Sequence, residues 1–233
     1  MSFTVDIKNK IYEYCNNHLP DEDWYSGEFE FIEDDILRKR LNVEFRGTRF
    51  AYKLYEGIKA EGENLIFEVR HQILSYASIY EAVMHYVLYT YYQDTDEFHN
   101  LQYHRAVAKI DIPSEQKKRL GKMLLHNGEE ILIYHYQERK KDESQIRFED
   151  KCKAAEKLGL LKKFYNKQGE EIDLPAEIIE LYGYRNGIHI IAEKRKGLNY
   201  ELELSKKAYR RMRPFIDQIK SQLKKDCKGI YKV

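Results

Sequence analysis

The chain has 233 residues, of which 42% are hydrophobic, 34% charged and 13% aromatic, with a mean hydropathy of −0.73. This composition excludes a polytopic membrane protein and a disordered chain. Its 12 glycines and 4 prolines are too few for a many-stranded sandwich or barrel and favour helices. The length allows one large domain or two small ones, and enough burial to dispense with a disulfide or metal staple. The net charge is +1, but it is unevenly placed. Residues 1–139 carry a net −7 and residues 140–233 a net +8. A basic C-terminal part suits a polyanion surface, and equally a solvated face or an acidic partner. Cys15, Cys152 and Cys227 form no CxxC pair, so neither a zinc knuckle nor a redox pair is expected. The N-terminus lacks an apolar signal core, and a cytoplasmic location is expected.

Residues 1–34 read as a short helix followed by a loop or brief strand. From Asp35 the apolar positions Ile36, Leu37, Leu41, Phe45, Tyr52, Tyr55 and Ile58 recur at helical spacing, interrupted at Gly47. Residues 1–60 are taken as a partly helical N-terminal extension, and 61–233 as a helical bundle. Gly57 and Glu61–Asn64 break the pattern, with Asn64 a candidate N-cap. A long helix then spans about 65–92. It is apolar on most sides and has no Lys or Arg from Ile73 to Tyr92. Glu81 and His85 argue against a membrane span, because a carboxylate at mid-membrane costs several kcal/mol. The segment reads as the central helix of a bundle.

Further helices are expected over 114–126 and 129–141. Another runs from about Ser144 through Phe148, Cys152, Ala155 and Leu158, closed by Gly159. Residues 160–173 read as a lysine-rich loop. A helix over 175–192 opens with Pro175 in its first turn, a turn covers 194–199, and a last helix, capped by Ser205, runs to Leu223. The fold class is all-α.

The helix expected over 175–192 carries the candidate chemistry. Gly183 and Gly187 share one face. On a continuous helix Arg185 and His189 lie on the opposite side, about 40° apart. Arg can bind phosphate oxygens with two donors, and His can move a proton near neutral pH. The plain structural alternative pairs Arg185 with Glu180 or Glu193 and buries His189 in the core. His99 and His104 lack a third ligand nearby, so no metal site and no cofactor are expected. Lys194, Arg195 and Lys196, followed by Lys206, Lys207, Arg210 and Arg211 with Tyr200 and Tyr209 interleaved, suit single-stranded RNA or an ordinary solvated face.

The run Arg185-Asn186-Gly187-Ile188-His189, preceded by Ile179-Glu180-Leu181-Tyr182, resembles the Arg-Asn…His signature of the HEPN superfamily, with a shorter Arg–His spacing than is usual there. The helix order over roughly residues 64–223 resembles that family too. The resemblance implies a four- to five-helix bundle that dimerises with itself or with a related HEPN-like chain. It implies a metal-independent endoribonuclease of toxin or phage-defence type that uses the RNA 2′-hydroxyl as nucleophile. Arg185 would stabilise the phosphorane, His189 would be the acid–base group, and Asn186 the polar residue after the arginine. The alternative is an inactive module that binds RNA or a partner, such as an antitoxin or a subunit of a defence complex. In the dimer, the apolar flank of Ile178, Leu181 and Ile188 is expected at the contact, and the Gly183–Gly187 stripe is expected against the long central helix.

Overall fold

A computed structural model describes residues 2–109, 112–123, 125–126, 129–130, 134–188 and 190–232. Helices α1 (Val5–Asn17), α2 (Glu22–Glu28) and α3 (Asp35–Gly57) lead into α4 (Gly62–Tyr91). The Asp34 carboxylate caps α3 by accepting from the amides of Ile36 and Leu37 at 2.9 and 3.0 Å, which satisfies two of the orphan donors of a helix start. Gly47 lies inside α3 without breaking it, in open surroundings. Asn64 is an internal residue of α4, whose N-cap is Glu61.

Helix α5 (Asp96–Gln102) runs into strand β1 (Tyr103–Lys109). Helix α6 (Ser114–Met123), the two-residue strands β2 (Leu125–His126) and β3 (Glu129–Glu130), and β4 (Tyr134–Lys140) follow. Strands β1 and β4 pair antiparallel, with Val107 opposite Tyr136. The helix expected over 129–141 is therefore a strand where it is described. Its alternating aromatic start suits a pleat, and its pairing partner lies some thirty residues upstream, outside any local window. Helix α7 (Phe148–Lys157) ends at Gly159, whose φ of +75° is the left-handed conformation that glycine adopts without a Cβ penalty. It begins at Phe148 with Arg147 as its N-cap, later than the expected start near Ser144. The lysine-rich loop holds a small hairpin, β5 (Phe164–Tyr165) with β6 (Glu171–Ile172). Helices α8 (Leu174–Asn186), α9 (Ile190–Lys196) and α10 (Leu202–Lys225) complete the described elements. The last helix begins after Glu201, and Ser205 is an internal, buried residue. Ten α-helices and three two-stranded antiparallel sheets among the described residues make an all-α bundle with a small β arm.

Helix α4 packs against α3, α7, α8 and α10. Its Val69, Ile73, Tyr80, Val83, Met84, Val87 and Leu88 are at most 1% exposed, as a helix apolar on most sides requires. Among the described residues no helix is long and apolar enough to cross a membrane. Residues 1–60 are not peripheral to this core. Phe45 of α3 meets Tyr25, Phe29 and Tyr76 edge-on, at centroid separations of 5.4, 6.0 and 6.3 Å, a favoured aromatic geometry.

The helix expected over 175–192 ends at Asn186 and a separate one starts at Ile190. Leu198 packs where a Cβ on Gly187 would sit, so the close approach of the returning chain needs glycine there. Asp173 caps α8 through the Ala176 amide at 3.1 Å, with Pro175 in the first turn as expected. Ile178 and Leu181, expected at a dimer contact, are 0% and 1% exposed inside the chain's own core. Replacing Leu181 with Ala should therefore destabilise the monomer fold by about 2–5 kcal/mol, measured by urea denaturation. A loss under about 1 kcal/mol would contradict this placement.

Candidate active site

A cleft of about 1080 Å³ opens between α4, α7 and α8. Its α4 wall carries Ser78, Glu81, Ala82 and His85, which fall on one face by the 3.6-residue period. Helix α8 contributes Ile179, Tyr182, Gly183 and Asn186, and the α7 side contributes Arg147, Phe148 and Lys151. Gly183 has no neighbour within 4 Å of a would-be Cβ. It faces this opening and does not pack on α4 as the glycine stripe was expected to do.

Two polar arrays face the cleft. In the first, the Tyr182 hydroxyl donates to Glu81 Oε1 at 2.7 Å. Arg185 lies 3.6 Å from Glu81 Oε2, donates to the Tyr182 oxygen at 3.2 Å and to Asn186 Oδ1 at 3.1 Å. Arg185 thus pairs with neither Glu180 nor Glu193. Those carboxylates hold Lys207 and Arg70 respectively. Burial, with Glu81 beside it, pushes the Tyr182 phenol up to about 12, so the hydroxyl stays a donor at neutral pH.

The second array joins Lys151 and His85. Lys151 is 7% exposed, and its Nζ lies 3.2 Å from His85 Nδ1. An ammonium can only donate, so Nδ1 accepts and the neutral ring carries its proton on Nε2. Nε2 is 3.9 Å from Glu143 Oε1, and the ring stacks on Tyr89 with centroids 4.1 Å apart. Burial first, and the Lys151 charge second, hold the His85 pKa below its ordinary 6.5. Among the described residues no carboxylate lies within 4 Å of Lys151 Nζ. Glu143 and Glu149 line the same cleft without contacting the ammonium, which leaves its donors available to an incoming anion.

Of the residues expected in the site, Asn186 lines this cleft and Arg185 contacts three of its lining residues, Glu81, Tyr182 and Asn186, while His189 lies outside the described residues. Because α8 ends at Asn186, the helical stripe that was to join Arg185 to position 189 is not continuous. The expected RNA-binding residues separate into three groups. Lys194, Arg195 and Lys196 are exposed in the last turn of α9. Lys207 and Arg211 turn toward α8, where they pair with Glu180 and Glu177. Lys206 and Arg210 face α3 and share Glu203 at 2.7 and 3.7 Å. The run of basic residues is thus no single patch, and its α10 members carry carboxylate partners.

Lys151, His85, Glu81 and Tyr182 are the site residues that the sequence reading passed over. The signal for Lys151 lay in the apolar series Phe148, Cys152, Ala155, where Lys151 occupies an inward i+3 position. The signal for the other wall was Glu81 and His85, four apart in an otherwise apolar stretch. Comparison with family models, with curated proteins and with solved structures returns no match, so the likeness to HEPN domains rests on the residues quoted above.

A proton-resolved titration tests the Lys151–His85 contact. The His85 ring should titrate below 6.5, and replacing Lys151 with Met should raise its pKa, since the lysine charge opposes protonation. A group held neutral by the fold adds stability that is present above its ordinary value and is lost as pH falls toward the depressed one. Lys151→Met should lessen that loss, and an unchanged His85 titration in the variant would refute the contact.

Proposed function

We propose that the protein is a HEPN-like module that acts on RNA at the α4–α7–α8 cleft, as a metal-independent endoribonuclease of toxin or phage-defence type. The observation that carries this reading is Lys151, a buried ammonium with a neutral imidazole for a partner and no carboxylate within 4 Å among the described residues. A phosphodiester in the cleft would supply the missing counter-charge. The Lys151 ammonium and the Nε2–H of His85 are two donors for its non-bridging oxygens, and donors aimed at developing charge are a large catalytic term. Arg185 sits behind the α8 wall of the cleft, held by Glu81 and the face of the Tyr182 ring at 5.0 Å. Releasing Glu81 to solvent would free it to stabilise a pentacoordinate phosphorane. By the resemblance, His189 supplies proton transfer to or from the 2′-hydroxyl and the leaving 5′-oxygen.

A second reading keeps the cleft as an RNA- or partner-binding surface without cleavage. The engagement of Arg185 by Glu81 and Tyr182 favours it, because a guanidinium already paired is less available to a transition state.

Purified protein should cleave single-stranded RNA in EDTA, and Lys151→Met, Arg185→Ala and His189→Ala should each lower the rate by about 100-fold or more. RNA binding that needs Lys151, without cleavage by the wild type, would establish the second reading in place of the first. Absence of both binding and cleavage would overturn the assignment to RNA.

A further inference from the structure

We propose that a second, smaller pocket between α3 and α10 is a phosphate-binding site, independent of the reading given to the cleft. It encloses about 230 Å³. This is below the roughly 300–1,000 Å³ of pockets that enclose a drug-sized ligand, so it fits a phosphoryl group with part of its sugar rather than a whole nucleotide.

The centre of the pocket is Arg49. Its guanidinium carbon lies 3.6 Å from the centre of the Tyr209 ring and 5.1 Å from that of Tyr52. Tyr209 is fixed in turn against Phe45 and Tyr76, each at 6.3 Å. A guanidinium stacked on a ring directs its five coplanar donors outward around the edge. Arg49 has no carboxylate within 4 Å among the described residues, and its side chain lies beside the buried Tyr76 hydroxyl.

Three further cations line the same pocket: Lys53 from α3, and Lys206 and Arg210 from α10. One carboxylate lines it with them, Glu56, bonded to Lys53 at 2.6 Å. Glu203, which Lys206 and Arg210 share, is 67% exposed. Exposed pairs of this kind are weak and salt-screened, so both cations can turn to a phosphate at little cost. Planar Arg donors, flanking ammonium groups and a small cavity are the chemistry of phosphate recognition. A free nucleotide and an RNA backbone both present that group.

The Arg49 Nε–H signal in a proton–nitrogen spectrum, assigned with Arg49→Lys, reports on this pocket and not on the cleft. Adding inorganic phosphate should shift it saturably, beyond any change from chloride at equal ionic strength. The double variant Lys53→Gln/Arg210→Gln keeps Arg49 and its stacking, and should weaken the phosphate response by about tenfold, the scale of a lost charge-assisted hydrogen bond. Adenosine 5′-monophosphate and a short oligouridylate then separate the two sources. The one that shifts the same signal at the lower concentration is the ligand class. An Arg49 signal that ignores phosphate, or follows chloride equally, or responds unchanged in the double variant, would overturn the proposal. RNA cleavage at the cleft could persist in any of those cases, so the two readings fail separately.

Discussion

Everything in this bundle depends on covering α4. Thirty residues of helix with apolar side chains around most of the circumference are insoluble alone, and the hydrophobic term scales with the area removed from water. Helices α3, α7, α8 and α10 supply that cover. Tyrosine makes the arrangement specific as well as dry. Tyr80 donates to the Ala208 carbonyl at 2.7 Å, tying α4 to α10, and Tyr91 donates to the Phe31 carbonyl at 2.6 Å, tying it to the turn after α2. The adjoining Tyr92 reaches Asp226 at 2.7 Å. Each ring contributes apolar area while its hydroxyl finds one acceptor.

The cleft follows from the part of α4 that is not apolar. Ser78, Glu81 and His85 recur at helical spacing, and they floor the gap between α7 and α8. The walls then meet chemical needs that the floor creates. Glu81 is answered by Tyr182 and Arg185, and His85 by Lys151. The first pairing is closed, because its charges cancel. The second is open, because a buried ammonium faces a neutral ring. The two arrays therefore differ in charge balance, although they line one cleft.

Helix α10 divides its basic residues in the same physical way. Lys207 and Arg211 are spent on Glu180 and Glu177, which hold α8 in place. Lys206 and Arg210, one residue back on the helix and so about 100° around it, look toward Arg49 and Tyr52 of α3. Neighbours in sequence therefore do different work, one pair holding helices together and the other lining a pocket.

The sequence by itself determined the helical class, the central helix near 65–92, the glycine end of α7 and the proline start of α8, because spacing, caps and breakers act within a few residues. Tertiary structure decided the rest. Residues 134–140 are a strand because β1 lies beside them. Helix α8 stops at Asn186, and Gly187 beyond it leaves room for Leu198 of the returning chain. Ile178 and Leu181 are core because α4 is there to receive them. Lys151 and His85 are sixty-six positions apart, and no local pattern relates them. They meet only because α7 packs on α4 and leaves an imidazole as the lysine's partner, and the energy of a charge depends on its surroundings in space rather than on its neighbours in the chain.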